Sequence, residues 1–142
     1  MDTIYTTEVH WTAGHQGEVQ MGNGPHLPFS APPDAHGMAG VLTPEDAFVA
    51  AVNSCIMLMF LWACERFKIE LVAYDCHAEG TKHIELDRTE IFNKVVLRPR
   101  ITVRNAEQRQ VERALQSARK YSLVANSIKG TVEIEPEIIC LS

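Results

Sequence analysis

The sequence contains no His-Glu-x-x-His, no Cys-x-x-Cys, no glycine-rich phosphate loop and no Gly-x-Ser-x-Gly. Zinc-hydrolase, dithiol-redox, nucleotide and serine-hydrolase chemistry therefore have no motif to stand on. Nothing in it calls for a metal or a cofactor, since Cys76-His77 and His83 would need further ligands from elsewhere. Basic charge is scarce: thirteen Lys and Arg against eighteen Asp and Glu leave a formal charge of -5. That is the wrong sign for a protein that grips nucleic-acid phosphates or an anionic membrane. The opening Met1-Asp2-Thr3-Ile4-Tyr5 lacks the basic start and apolar core of a signal peptide, so the expected compartment is the cytoplasm. Thiols stay reduced there, and Cys55, Cys64, Cys76 and Cys140 read as core or reactive thiols rather than a disulfide framework.

What the chain does have is apolar mass concentrated in one place. Its 142 residues, 46% hydrophobic and 22% charged, suit a single folded domain spanning 1–142. Within it, sixteen of the eighteen residues from 47 to 64 are hydrophobic. Such a run reaches the lower limit of a membrane span, about 18 residues. Asn53 and Ser54 interrupt it, however, and Glu45, Asp46, Glu65, Arg66 and Lys68 flank it without aromatic belts, so a buried helix is the better reading. Thr43 can cap that helix, Pro44 suits its first position, and Glu45 and Asp46 favour the positive end of its dipole. It should run to about Phe67 over roughly 35 Å. Being apolar on every side, it needs cover all round.

Elsewhere, β-branched and aromatic residues predict strands over 3–11 and 18–21, joined as a hairpin by glycine-rich turns. Residues 26–43, dense in proline and glycine, read as a long loop without regular structure. Alternation predicts a strand over 69–80, with Val72, Tyr74, Cys76 and Ala78 on one face. A second runs over 95–104, where Pro99 implies an edge or a bulge. Asn105 should cap an amphipathic helix over 106–121 with Val111, Ala114, Leu115 and Ala118 as its stripe. The last strand, 131–141, places Ile138 and Cys140 on the apolar face and Glu133, Glu135 and Glu137 outside, opposite the Arg98, Arg100 and Arg104 ladder. The order indicates an α+β fold with antiparallel or mixed sheets.

Free cysteines are usually packed in cores, which suits Cys64, Cys76 and Cys140. Cys55 differs, because Ala50-Ala51-Val52-Asn53-Ser54 leaves room around its sulfur. Cys64, nine residues later, lies half a helical turn round and about 13 Å along, out of disulfide reach. Thr43-Pro44-Glu45-Asp46, the motif ending in Cys55, the preceding Phe29-Ser30-Ala31-Pro32-Pro33 and Gly37, and the late Lys120-Tyr121-Ser122-Leu123-Val124-Ala125-Asn126-Ser127-Ile128-Lys129 together resemble the OsmC/Ohr family of osmotically induced and organic-hydroperoxide-resistance proteins.

The resemblance implies an intertwined α+β homodimer whose long hydrophobic helices, one from each subunit, are enclosed between sheets. It also implies reduction of organic hydroperoxides by an attacking cysteine, a resolving cysteine and an assisting Glu and Arg. Position by position, Cys55 matches the attacking cysteine and Glu45 the glutamate at the helix start. The second cysteine falls at Ser122, whose hydroxyl cannot condense with a sulfenic acid to a disulfide. No Arg precedes Arg66, where the family arginine is expected. A one-cysteine peroxidase regenerated by an external thiol is the resulting expectation, with Ser122 lining the site. Because an unassisted thiol titrates near 8.5 and burial raises it, a donor or cation is needed; His36, before Gly37, is the candidate, with the arginine ladder as the other source. Glu45 lies ten residues, about 15 Å, before Cys55 on one helix, so for the two to share a site either the helix breaks between them or a partner chain crossing in the opposite sense brings the glutamate; the second is favoured because it also covers the apolar helix. The alternative is a family member that has lost catalysis and binds a small apolar ligand in the dimer-interface pocket.

Overall fold

The computed structural model describes residues 1–142, which fall into two units, Met1–Phe48 and Val49–Ser142. In the first, β1 (Thr7–Ala13), β2 (Gln16–Met21) and β3 (His26–Ser30) form an antiparallel sheet in the order β1-β2-β3. The segment expected to be a featureless loop thus contains a strand and, after it, a short 3-10 turn at Pro33–Ala35. The prolines do not prevent this, because β3 is an edge strand whose far side makes only an isolated parallel bridge from Phe29 to Leu42; Pro28 sits opposite Glu18. The chain beyond is folded tightly on itself. Gly37 passes so close to the Ala31 backbone that a Cβ there would lie 1.4 Å from the carbonyl oxygen, and the buried Ser30 hydroxyl accepts the Met38 N–H at 2.8 Å.

α1 spans Pro44–Phe67, as the sequence predicts, and Thr43 Oγ1 accepts the Asp46 N–H at 3.0 Å to cap it. The helix is long and apolar enough to cross a membrane by length and composition alone. Yet Val52, Ile56, Phe60, Ala63 and Cys64, spaced to share one stripe, are buried within the fold. Leu58 and Trp62 on other faces remain about half exposed, at 47% and 57%.

In the second unit β4 (Glu70–Ile84) and β5 (Glu90–Arg104) make a long antiparallel hairpin, and β5 also pairs in parallel with β6 (Thr131–Ile134) and β7 (Glu137–Leu141). The fold is α+β with a mixed sheet. A bulge between Leu71 and Ala73 reverses the phase of β4: Leu71 turns inward with Tyr74, and Val72, expected inside, is 46% exposed. Gly80, lacking a side chain, lets Val49 of α1 and Phe92 close over the strand; a Cβ there would meet Val49 at 2.6 Å.

Pro99 lies on the central strand, not at an edge. The missing N–H is tolerated because the neighbour on one side is itself broken there: β6 pairing ends at Leu97 and β7 pairing begins at Arg100, with Glu135 and Pro136 between. The single last strand expected from the sequence is therefore two. Cys140, assigned to the apolar face, is exposed. α2 (Gln108–Tyr121) starts later than expected. Glu107, not Asn105, is its cap, in a reciprocal capping box with Gln110, while Asn105 adopts a left-handed turn at φ 56°. The apolar stripe Val111, Ala114, Leu115 and Ala118 packs with Phe60, Ala63, Cys64, Ile69, Ile101 and Val103 into one core. A four-residue helix, α3 (Leu123–Asn126), follows.

Candidate active site around Cys55

Cys55 occupies the middle of α1, half-buried, one residue before the core position Ile56. Sixty-seven residues later in sequence, Ser122 is the single extended residue between α2 and α3. Its hydroxyl donates to Cys55 Sγ at 3.1 Å and accepts the Ala125 N–H at 3.2 Å. Ser122 is completely buried. The two residues that the resemblance pairs are thus in direct contact, a thiol and a hydroxyl where the family implies two thiols.

The turn that carries Ser122 is held from several sides. Its carbonyl accepts the Asn126 N–H at 3.0 Å, the Asn126 side chain donates to the Lys120 carbonyl at 2.8 Å, and Arg119 donates to Asn126 Oδ1 at 3.0 Å. On the other side of Cys55, the Asn53 amide donates to the Cys76 carbonyl at 3.2 Å and fastens α1 to β4. Sequence reasoning missed these clamps. Asn126 in its serine- and alanine-rich surroundings was the available signal, since Asn favours turns and helix ends.

The other predicted residues are elsewhere. Glu45 is exposed in the first turn of α1, and no contact joins it to a thiol. His36 is exposed in a left-handed conformation at φ 68°, its ring 6.0 Å from that of His15 and tilted by 32°. The arginine ladder is committed to carboxylates on the outer face of the sheet. Arg98 pairs with Glu79 and Glu135, Arg100 with Glu137 and Arg104 with Glu70. It is a solvated ion-pair face and supplies no charge to Cys55.

Burial separates Cys64 and Cys76 from this role. The Cys64 thiol is pushed up to about 11 by burial, with the Glu65 charge adding to it. Cys76 is also raised by burial, and Tyr74 still more so, by burial first and by the neighbouring Cys76 second. The Tyr74 ring packs beside that of Phe60, centroids 5.6 Å apart, and its buried hydroxyl faces the Cys76 thiol. Cys64 and Cys76 are thus held as neutral thiols, poor nucleophiles near neutrality.

The model of the family described as OsmC-like protein matches residues 37–137. In structure the chain is similar to an OsmC-like protein of unknown function from Vibrio cholerae, with 24% identity over 95% of this chain and 99% of that one and a TM-score of 0.87. It is also similar to an organic hydroperoxide resistance protein OsmC from Legionella pneumophila, with 19% identity over 96% and 97% of the two chains and a TM-score of 0.73. A putative organic hydroperoxide resistance protein from Vibrio cholerae, solved with captopril in one of its active sites, aligns with 21% identity over 97% and 94% and a TM-score of 0.75. No curated protein is a significant sequence match.

Proposed function

The chain belongs to the OsmC-like protein family, and from that premise we propose that it is a one-cysteine thiol peroxidase reducing small organic hydroperoxides at Cys55. The observation that carries this reading is the contact between Cys55 Sγ and the buried Ser122 hydroxyl, which holds a half-buried sulfur against a donor. The names of two structural neighbours point to the same substrate class.

The Cys55 thiolate attacks the terminal oxygen of R–O–O–H. The O–O bond breaks as the S–O bond forms, the sulfur is oxidised to a sulfenic acid, and the alkoxide leaves and takes up the proton given up by the thiol. Ser122 cannot resolve the sulfenic acid, so an external thiol does. The first R'SH displaces water to give a mixed disulfide, and a second releases R'S–SR' and restores Cys55. The sum is ROOH + 2 R'SH → ROH + H2O + R'SSR'. The four free cysteines suit a reducing cytoplasm.

The working unit in this proposal is a homodimer. Exposed Leu58 and Trp62 on α1 and Val9 and Trp11 on β1 supply apolar surface for a second copy. Glu45 lies about 15 Å along α1 from Cys55, so the partner subunit's Glu45 is the one that assists. Sedimentation at micromolar concentration checks this; a monomer overturns it.

The replacement of the second family cysteine by Ser122 favours one other reading, a non-catalytic protein binding a small apolar ligand. Consumption of cumene hydroperoxide with dithiothreitol, compared for wild type and Cys55→Ala, separates the two. Catalysis requires loss of turnover in the variant, and equal consumption by both proteins ends it. Binding alone leaves ligand affinity unchanged by that substitution.

A further inference from the structure

Two features around Cys55 remain unexplained by its family likeness: the residue facing it is fully buried yet polar, and its hydroxyl is constrained on every side. A serine hydroxyl has one proton to give and lone pairs to accept with. In Ser122 the Ala125 N–H fills an acceptor position at 3.2 Å, and the proton is directed at Cys55 Sγ at 3.1 Å. The backbone cannot swing it away, because Asn126 ties down the Ser122 carbonyl, the Lys120 carbonyl and, through its side-chain oxygen, Arg119. The nearby basic groups that the structure shows engaged are committed elsewhere: Arg98, Arg100 and Arg104 face carboxylates outside, Arg66 donates to Ser117 at 2.7 Å, and the Lys120 ammonium lies over the Tyr121 ring.

We infer that Ser122 is the donor that sets the reactivity of Cys55, its hydroxyl stabilising the thiolate in place of the family arginine, which no residue before Arg66 supplies. A hydrogen bond to an ionised acceptor is about twice as strong as one to a neutral acceptor. A fixed donor 3.1 Å away therefore favours thiolate over thiol. The Ala125 N–H strengthens the effect by polarising the hydroxyl it bonds. Preorganisation matters because the donor needs no reorientation when charge appears on the sulfur. In a turnover as proposed above, on which this second step rests, the same hydroxyl donates to the sulfenate. It cannot condense with that sulfenate, so the oxidised sulfur is held for the external thiol. The residue that removes the internal resolving step thus supplies the activation.

The test is the rate of iodoacetamide alkylation of the Cys55 peptide against pH, read by mass spectrometry for wild type and Ser122→Ala, with melting curves for both. The expected result is a profile displaced by roughly one pH unit to higher pH in Ser122→Ala, with alkylation at pH 7 slowed about tenfold. A superimposable profile in a folded variant overturns the inference. Should Ser122→Ala lose its melting transition, Ser122→Cys kept reduced is measured in the same way. A thiol is a weaker donor, so the profile again moves to higher pH, and an unmoved profile is again fatal. Peroxide consumption is followed separately. A displaced profile in a protein that consumes no cumene hydroperoxide supports the hydrogen bond while removing the peroxidase reading. Consumption with an unmoved profile does the reverse.

Discussion

Replacing Ser122 by cysteine should convert the site into a two-cysteine one. The Ser122 oxygen is already 3.1 Å from Cys55 Sγ, and both belong to elements fixed by the core. A disulfide brings its sulfurs to about 2.05 Å, so the gap to close is about 1 Å, part of which the longer C–S bond covers. The two positions are 67 residues apart in sequence. Closing a loop of that size removes about 4 kcal/mol of chain entropy from the unfolded state, a ceiling that strain reduces. One equivalent of cumene hydroperoxide should therefore remove two titratable thiols from Ser122→Cys, lower its mass by about 2 Da and raise its melting temperature, all reversed by dithiothreitol. The reasoning is refuted if the treated variant gains about 16 Da as a sulfenic acid, and about 32 Da as a sulfinic acid on a second equivalent, with no internal disulfide and an unchanged melting temperature.

Phe60→Ala empties a fully buried site beside Tyr74 and should cost about 3–5 kcal/mol in urea unfolding, whereas a loss below 1 kcal/mol would mean that α1 does not pack through this stripe. Cys64 titrates higher folded than unfolded, so its stabilising share is complete below pH 9 and is lost as pH rises toward about 11. Melting temperature should fall across that window, and Cys64→Ala should flatten the slope. Arg98→Ala should cost less than about 1 kcal/mol and leave peroxide consumption unchanged, because its pairs with Glu79 and Glu135 are about half exposed; a large loss of turnover would place the ladder at the site after all.

Local signals in the sequence were reliable wherever one segment decides its own structure. Thr43, Pro44 and the two acids set the start of α1, and the apolar run carried it to Phe67. The stripe of α2 was legible for the same reason, since 3.6-residue periodicity is a property of the helix itself. Errors arose where a neighbour intervened. A bulge paired against β5 reversed Leu71 and Val72, an interrupted neighbour admitted Pro99 to the central strand, and an edge position allowed β3 to form around Pro28. Each depends on how the strand pairs with another segment, which alternation along one strand does not encode.

The same division holds for the candidate site. The sequence by itself determined that Cys55 sits on a long apolar helix, that a serine stands at 122, and that no arginine precedes residue 66. Being apolar on all sides, α1 carries no periodicity to say which face turns inward, and only packing on the sheet and α2 selected the Val52, Ile56 and Phe60 stripe. That rotation also fixes the direction of Cys55. The turn between α2 and α3, clamped by Asn126, then brings the Ser122 hydroxyl to its sulfur. A hydrogen bond across 67 residues follows from the mutual placement of a helix and a turn, which tertiary structure alone supplies.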